Sequence, residues 1–146
     1  MNPRPETART LHLEPHPEGG WYRRTYTSRV TVPHPAGRGE RPSVTLIHYL
    51  LAAEEQSRWH TVASDEMWLW QGGGPLLVSI SPPGPAPTTV TEHLLGPHRL
   101  AGTELQVLVP AGHWQSARPA GDDEALVSCL VTPGFDFADF TLLEPA

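Results

Sequence analysis

Short stretches of alternating or continuous hydrophobic residues recur along the chain, and turn-forming residues separate them. Residues 43–51 are apolar on both faces, which predicts a central strand. Residues 58–75 predict two further strands, joined by a turn at 63–65 and ended by three glycines. The remaining predicted strands are residues 21–27, 76–81, 88–95, 105–109, 113–115 and 125–131. About eight short strands with no ordinary helix predict an all-β sandwich or barrel, with a jelly roll as the obvious candidate.

The segments between and beyond the strands carry weaker signals. Residues 1–10 are polar and contain prolines, so we expect a loose lead-in to a single domain that spans residues 1–146. Residues 32–42, with three prolines and two glycines, predict an exposed loop. Residues 133–142 alternate aromatic and acidic side chains, and we expect them to pack as a terminal clamp.

Composition limits the classes of partner. The net charge of −6 and the absence of lysine argue against nucleic acid, because phosphate binding needs clustered basic residues. No apolar run resembles a signal peptide or is long enough to cross a bilayer, so we expect a soluble cytoplasmic protein without a membrane partner. The single cysteine, Cys129, lies in an apolar run and is expected to be a buried structural residue.

The densest mixture of aromatic and titratable residues lies in residues 58–75. On the two predicted strands, alternation places one set of side chains on one face, namely His60, Val62, Glu66, Trp68 and Trp70. If that face points into a barrel, an imidazole and a carboxylate meet in an aromatic cavity, as expected for a small-molecule pocket. The two tryptophans fit either a simple core or an aromatic floor for a ligand.

Four separated blocks of sequence resemble a known family. They are residues 15–23 (PHPEGGWYR), 64–68 (SDEMW), 109–115 (VPAGHWQ) and 133–140 (PGFDFADF). With them the chain resembles the cupin superfamily, and most closely a subfamily of uncharacterised proteins labelled as a domain of unknown function. The resemblance implies a double-stranded β-helix, the cupin jelly roll, with little helix and commonly a homodimer. It implies no particular reaction.

The residues at the cupin motif positions depart from the usual metal site. In the resemblance, His60 and Glu66 match the first motif, while Val62 stands where that motif has a second histidine. Gln115, after the turn at 110–112, stands where the second motif has its histidine. A divalent metal ion would therefore have His60, Glu66 and Gln115 as ligands, a weak set because an amide oxygen is a poor donor. Without a metal, Glu66 can orient His60 and raise its pKa toward neutrality.

We therefore predict a small-molecule-binding protein whose catalytic pair is His60 and Glu66. The expected ligand-binding residues are Gln115, Trp68, Trp70 and His48. Of the neighbours His48 and Tyr49, only one can face the cavity, and we expect it to be His48. Fold analogy suggests an isomerase or epimerase acting on a sugar or related polar metabolite. The alternatives are a metal-assisted enzyme at the same pocket and a protein that binds its ligand without changing it.

Overall fold

The computed structural model describes residues 3–145, which form two facing antiparallel sheets and a short hairpin. The strands are β1 (Glu14–Pro15), β2 (Trp21–Thr27), β3 (Thr31–Pro33), β4 (Glu40–Pro42), β5 (Thr45–Leu51), β6 (Ser57–Val62), β7 (Asp65–Gly73), β8 (Leu76–Ser81), β9 (Thr91–Leu95), β10 (Gln106–Val109), β11 (Trp114–Pro119), β12 (Ala125–Thr132) and β13 (Phe140–Leu142). The six-stranded sheet has the order β1-β2-β5-β12-β7-β10, and the five-stranded sheet has the order β13-β6-β11-β8-β9. The predicted all-β jelly roll is confirmed.

Helical structure is confined, within the described residues, to two short elements, α1 (Glu6–Thr10) and a 3-10 helix (Phe137–Asp139). The loose lead-in predicted for residues 1–10 is therefore wrong for residues 6–10, and its first two residues lie outside the described part of the chain. The reason is Ala8, which is buried against Leu13 and Trp21, so one small apolar side chain anchors an otherwise polar turn. Across residues 3–145, no helix is long and apolar enough to cross a membrane.

The segment predicted as an exposed loop, residues 32–42, contains a hairpin instead. Strands β3 and β4 pair with Val32 opposite Arg41. His34, at the end of β3, is buried, and its Nε2 lies 3.0 Å from the Oγ of Ser64 in the turn between β6 and β7. Prolines and glycines in this segment supply the turn, but the buried polar contact across the domain fixes its position.

The central strands build both the hydrophobic core and the cavity. Strand β5 lies between β2 and β12, which confirms the central position predicted from its two apolar faces. At one end of the sandwich, Val127 on β12 packs with Leu76 and Val78 of the opposite sheet. Burying each such side chain contributes about 1.5–3 kcal/mol. At the other end, where Thr45, Val131 and Glu66 lie in register on β5, β12 and β7, the two sheets leave an open space.

Candidate functional site

The open end of the sandwich is a cavity of about 660 Å³. Its apolar walls are formed by Tyr22, Ile47, Val62, Val131, Phe135 and Phe137. The titratable side chains that line it include His16, Glu18 and Glu66. Phe135 and Phe137 belong to the segment predicted as a terminal clamp, and here they close one side of the cavity. Mostly apolar walls with a few placed polar groups are typical of a small-molecule site.

Glu66 is held in place by a chain of two hydrogen bonds. The indole Nε1 of Trp68 donates to Oε1 of Gln115 at 2.8 Å, and Nε2 of Gln115 donates to Oε1 of Glu66 at 2.9 Å. An indole N–H can only donate, so the amide oxygen must face Trp68 and the amide nitrogen must face Glu66. The bond to Gln115 therefore leaves Glu66 as an acceptor whose orientation is fixed by the core.

Glu18 enters the cavity from the turn that precedes β2. Gly19 has φ +110° and a Cβ there would lie 2.1 Å from the carbonyl oxygen of Gln56, so only glycine lets the chain pass this close to β6. The Glu18 carbonyl accepts from the backbone N–H of Arg58 at 2.8 Å, and its side chain accepts from the hydroxyl of Ser57. The turn is thus tied to the start of β6, which brings Glu18 beside His60.

Backbone partners determine the tautomers of the two histidines around Glu18. The Nδ1 of His60 lies 2.7 Å from the carbonyl oxygen of Arg58, which can only accept, so the proton is on Nδ1 and Nε2 has a free lone pair. The Nδ1 of His16 accepts from the backbone N–H of Glu18 at 3.1 Å, so that ring carries its proton on Nε2. His60 Nε2 and His16 Nδ1 each lie 3.4 Å from Oε1 of Glu18.

Two lone pairs therefore face one carboxyl oxygen. This arrangement is favourable when Glu18 is protonated, or when His60 carries a second proton and Glu18 is ionised. Either way, Glu18 and the Nε2 atom of His60 share one proton. Burial raises the pKa of the Glu18 carboxyl to about 7 and lowers the pKa of His60, which favours the state with the proton on Glu18.

The second carboxyl has a similar pKa. Burial and then repulsion from Glu18 raise the pKa of Glu66 to about 7. For His16, burial and then the neighbouring His60 lower the pKa to about 3, so its ring is neutral at physiological pH. The cavity therefore contains two carboxyl groups that change charge near neutrality and a neutral imidazole that keeps its N–H.

The residues predicted for ligand contact divide into two groups. His60 and Gln115 lie directly opposite each other on β6 and β11, and with Glu66 they form one buried cluster. Trp68 is buried in the hydrophobic core and reaches the cluster through Gln115. Trp70 packs against the core and donates from Nε1 to the Gly74 carbonyl at 3.0 Å, away from the cavity walls.

His48 does not face the cavity, so the expectation from the sequence is wrong at this position. Thr45, Ile47 and Tyr49 line it, and strict alternation along β5 turns His48 to the outer face, opposite Arg23. The Tyr49 hydroxyl donates to the carbonyl of Gly19 at 2.5 Å and so supports the turn that carries Glu18.

The donor set does not fit a metal site made of His60, Glu66 and Gln115. Gln115 turns its N–H toward Glu66 and its oxygen toward Trp68, so the amide oxygen is not directed at the Glu66 carboxyl as a shared metal site requires. The side chain at the position of the second histidine is the buried Val62, which lines the cavity and cannot ligate. Within residues 3–145 no group of three or more His, Cys, Asp or Glu side chains is arranged to hold a metal ion.

Sequence reasoning missed His16 and Glu18 as site residues. Both lie in residues 15–23, which support the family resemblance, but the sequence alone indicated only a turn there. Their position depends on a close approach of the turn to β6, which no local pattern reveals. The available signal was the unusual density of His, Glu, Gly and Trp in this short block.

Several known proteins are similar to this chain in sequence and fold. Residues 5–143 match the family described as Cupin superfamily (DUF985). An uncharacterised protein of Saccharomyces cerevisiae is 30% identical over 143 residues, with 88% of this chain and 69% of that protein covered. A solved structure from Shewanella oneidensis is 36% identical with a TM-score of 0.81, covering 97% of this chain and 85% of that one. A hypothetical protein from Leishmania major is 32% identical with a TM-score of 0.83, covering 91% and 82%.

The match over residues 5–143 includes the turn that carries Glu18 as well as the strands that carry His60, Glu66 and Gln115. The family assignment thus covers every part of the cavity. The chain belongs to the cupin superfamily, in the family described as DUF985.

Proposed function

We propose that this protein binds a small polar molecule in its cavity and catalyses proton transfer on it, as an isomerase or epimerase. Cupins include enzymes and non-enzymatic proteins, so the proposal depends on the site rather than on the fold. The observation that carries it is the presence of two buried carboxyls, Glu18 and Glu66, on the walls of one cavity. Pairs of carboxyls that titrate near neutral pH are suited to general acid and base roles.

In the proposed reaction, ionised Glu66 removes a proton from a carbon atom next to a carbonyl group. The electrons of the broken C–H bond form a carbon–carbon double bond, and the carbonyl electrons move onto oxygen. Return of a proton from Glu18 to the other face of that carbon reforms the carbonyl with inverted configuration. Glu66 ends protonated and Glu18 ionised, and exchange with water, with His60 as the second carrier of the Glu18 proton, restores both.

His16 is the group best suited to stabilise the negative oxygen of this intermediate. Its Nε2–H makes no hydrogen bond to the described part of the protein, and the ring lines the cavity. The neutral imidazole of His16 can donate this N–H to the negative oxygen. The low pKa of His16 keeps the ring neutral. Sugars and related hydroxy-carbonyl compounds carry both the acidic carbon and the hydroxyl groups that such a polar cluster can bind.

Exchange of substrate hydrogen with heavy water tests the proposal, because it reports proton transfer whatever the product is. Aldoses, ketoses and hydroxy-keto acids are incubated with the protein in D₂O, and loss of the C–H signal next to the carbonyl is followed by NMR. We expect exchange for at least one compound class, its loss in Glu66→Gln, and at least a hundredfold slowing in Glu18→Gln and His60→Ala. Glu54→Gln, an exposed carboxyl change, is the matched control.

Undiminished exchange in Glu66→Gln or His60→Ala would sink the assignment of these residues. A compound that binds without any exchange or product would instead support the alternative of a non-catalytic binding protein. The metal-assisted alternative requires stoichiometric metal in protein purified without chelator, measured by mass spectrometry. The homodimer that the family resemblance implies stays a prediction, which sedimentation equilibrium tests.

A further inference from the structure

The mouth of the cavity contains two arginines that have no acidic partner within residues 3–145. Arg23 and Arg24 both line the cavity and are exposed to solvent. Arg24 donates from Nη2 to the carbonyl of Phe135 at 3.0 Å, and Arg23 donates from Nε to the carbonyl of Leu11 at 2.9 Å. Neither forms an ion pair with a carboxylate of the described chain. Each guanidinium has five N–H donors, so most of them are free for a ligand.

The acidic residues at the same mouth are already engaged. The carboxylate of Glu14, on the neighbouring strand β1, pairs with Arg4 at 3.3 Å. The Oδ1 of Asp136 accepts from the backbone N–H of Ala138 at 2.8 Å, where it caps the 3-10 helix. Glu14 thus has a cationic partner, whereas Arg24 forms no ion pair within the described chain.

Arg24 is positioned for contact with a ligand in the cavity. Its register partner on β5 is Ile47, which forms part of the cavity wall, so the Arg24 side chain starts from the inner face of the sheet. The bond to Phe135 holds the guanidinium across the opening between β2 and the terminal segment. Arg23 starts from the outer face of the sheet, opposite His48, and donates to the Leu11 carbonyl.

We propose that Arg24 forms an anion subsite at the cavity mouth that binds a carboxylate or phosphate group of the ligand. The subsite rests on the proposed function in that it shares the cavity and the ligand. It narrows the substrate class to carbonyl compounds that also carry an acidic group at one end. The anionic end binds at the mouth, where Arg24 is, and the carbonyl end reaches Glu18 and Glu66 in the interior.

The distribution of charge inside the cavity favours this orientation over its reverse. Glu18 and Glu66 repel an anion whenever either is ionised, while Arg24 attracts it at the mouth. Planar guanidinium groups also match carboxylate and phosphate oxygens in a bidentate geometry.

Three aromatic probes test the subsite without the natural ligand. Benzoate, phenyl phosphate and the neutral benzamide are titrated at low ionic strength, and binding in the cavity is followed through the methyl signals of Ile47 and Val62 in NMR spectra. We expect the better anion to bind about tenfold more tightly than benzamide, because a charge-assisted hydrogen bond is worth that factor. Preference for phenyl phosphate over benzoate assigns the subsite to phosphate, and the reverse assigns it to carboxylate.

Two variants then test whether Arg24 causes the preference for anions. Arg24→Gln is expected to lose about tenfold in affinity for the preferred anion and little for benzamide. Arg99→Gln, which removes an exposed arginine from the loop after β9, is the control and should bind like the original protein. Thermal unfolding confirms that both variants are folded.

Equal binding of benzamide and both anions overturns the subsite, as does failure of all three probes to shift the cavity methyls. Equal losses in Arg24→Gln and Arg99→Gln also overturn it. The result is independent of the proposed reaction, since Glu66→Gln should keep the anion preference while losing hydrogen exchange. If the anions bind preferentially but no compound exchanges hydrogen, the subsite is supported and the proposed proton transfer is contradicted.

Discussion

Two buried clusters in this protein contain the same three kinds of side chain, a hydroxyl, an imidazole and a carboxyl. The cavity cluster consists of Ser57, His60 and Glu18. The hairpin cluster consists of Ser64, His34 and Asp139, and it joins the β3–β4 hairpin to the rest of the domain. Because its carboxyl is an aspartate, the hairpin cluster has the three residue types of a Ser-His-Asp catalytic triad, whereas the cavity cluster has a glutamate.

The contacts of the hairpin cluster exclude that chemistry. His34 Nδ1 accepts from the backbone N–H of Ala36 at 3.0 Å, so the proton is on Nε2 and is donated to Ser64 Oγ. An imidazole in this form cannot take the serine proton. Asp139 accepts from Arg41 at 2.8 and 2.9 Å and pairs with Arg38 at 3.3 Å. Its pKa is lowered, chiefly by the hydrogen bonds from Arg41.

The cavity cluster differs in its charge partners and its access. Within residues 3–145, Glu18 makes no salt bridge to an arginine; its side chain accepts from Ser57 and lies 3.4 Å from each of two histidines. Its carboxyl lines an open cavity, whereas the Asp139 side chain has no exposed surface. Residue types and burial therefore do not distinguish a candidate ligand site from a structural cluster in this fold. The distinguishing feature is a carboxyl group that has no arginine partner and faces an open cavity.

Removal of the charge from the hairpin cluster should have the largest effect on stability. Asp139→Asn leaves two guanidinium groups without their carboxylate, and we expect the free energy of unfolding to fall by roughly 2–3 kcal/mol, since Arg38 remains within reach of water. Urea denaturation at neutral pH measures it. The exposed Asp122→Asn serves as the control. A change in Asp139→Asn no larger than in the control would show that the cluster does not hold the hairpin.

Removal of the Glu66 charge from the cavity should increase the stability of the protein instead of lowering it. Glu66→Gln is expected to raise the free energy of unfolding by roughly 1–3 kcal/mol above pH 7, because an ionised buried carboxylate is replaced by a neutral amide. The group has a folded pKa of about 7 against an ordinary 4.5, so it stabilises the fold below pH 4.5 and that contribution is lost as pH rises through 7. Urea denaturation of both proteins across this pH range gives the difference in their free energies of unfolding. The buried histidines are present in both proteins, so their opposing effect cancels in that difference.

A gain in stability at pH 8 that equals the gain at pH 4 would contradict this account of Glu66. The hairpin carboxylate has the reverse pH dependence. Because the pKa of Asp139 is lowered, its stabilisation is present above its ordinary pKa of 3.8 and is lost as pH falls further. Glu66 and the hairpin carboxylate should therefore lose their stabilising effects at opposite ends of the pH range.

The two serines provide the smallest and most direct comparison. Ser64→Ala leaves the His34 N–H without a partner and should lower the free energy of unfolding by about 1 kcal/mol. Ser57→Ala removes a donor that favours the ionised form of Glu18, so the pKa of Glu18 should rise further. Carboxyl NMR of labelled glutamate measures that pKa, and Ser64→Ala should leave it unchanged. Equal pKa values in both variants would mean that Ser57 does not stabilise ionised Glu18.

Much of the fold could be predicted from the sequence because alternation is a local property. The two strands of residues 58–75 and their turn, the central position of β5 and the buried position of Cys129 follow from neighbouring residues alone. The inward face with His60, Val62 and Glu66 is buried as predicted. The loose lead-in predicted for residues 1–10 is wrong at helix α1, whose single buried side chain, Ala8, lies in a polar segment.

The candidate site was less predictable because it is assembled from distant segments. Gln115 lies beside His60, as the cupin motifs implied, but its amide orientation depends on Trp68, which no spacing rule supplies. Glu18 depends on the approach of the Gly19 turn to β6, a contact between segments about forty residues apart in sequence. The expectation of His48 over Tyr49 failed because alternation gives two faces but does not say which one points inward.

The central claim is that Glu18 and Glu66 change charge near neutral pH while facing one cavity. Carboxyl ¹³C NMR of glutamate-labelled protein, titrated with pH, tests it most directly, with Glu18→Gln and Glu66→Gln used to assign the two signals. The account predicts titration of both groups at about pH 7, with each midpoint lower when the other carboxyl is replaced, because their mutual repulsion is then removed. Midpoints near the ordinary value of 4.5 for both groups would contradict it.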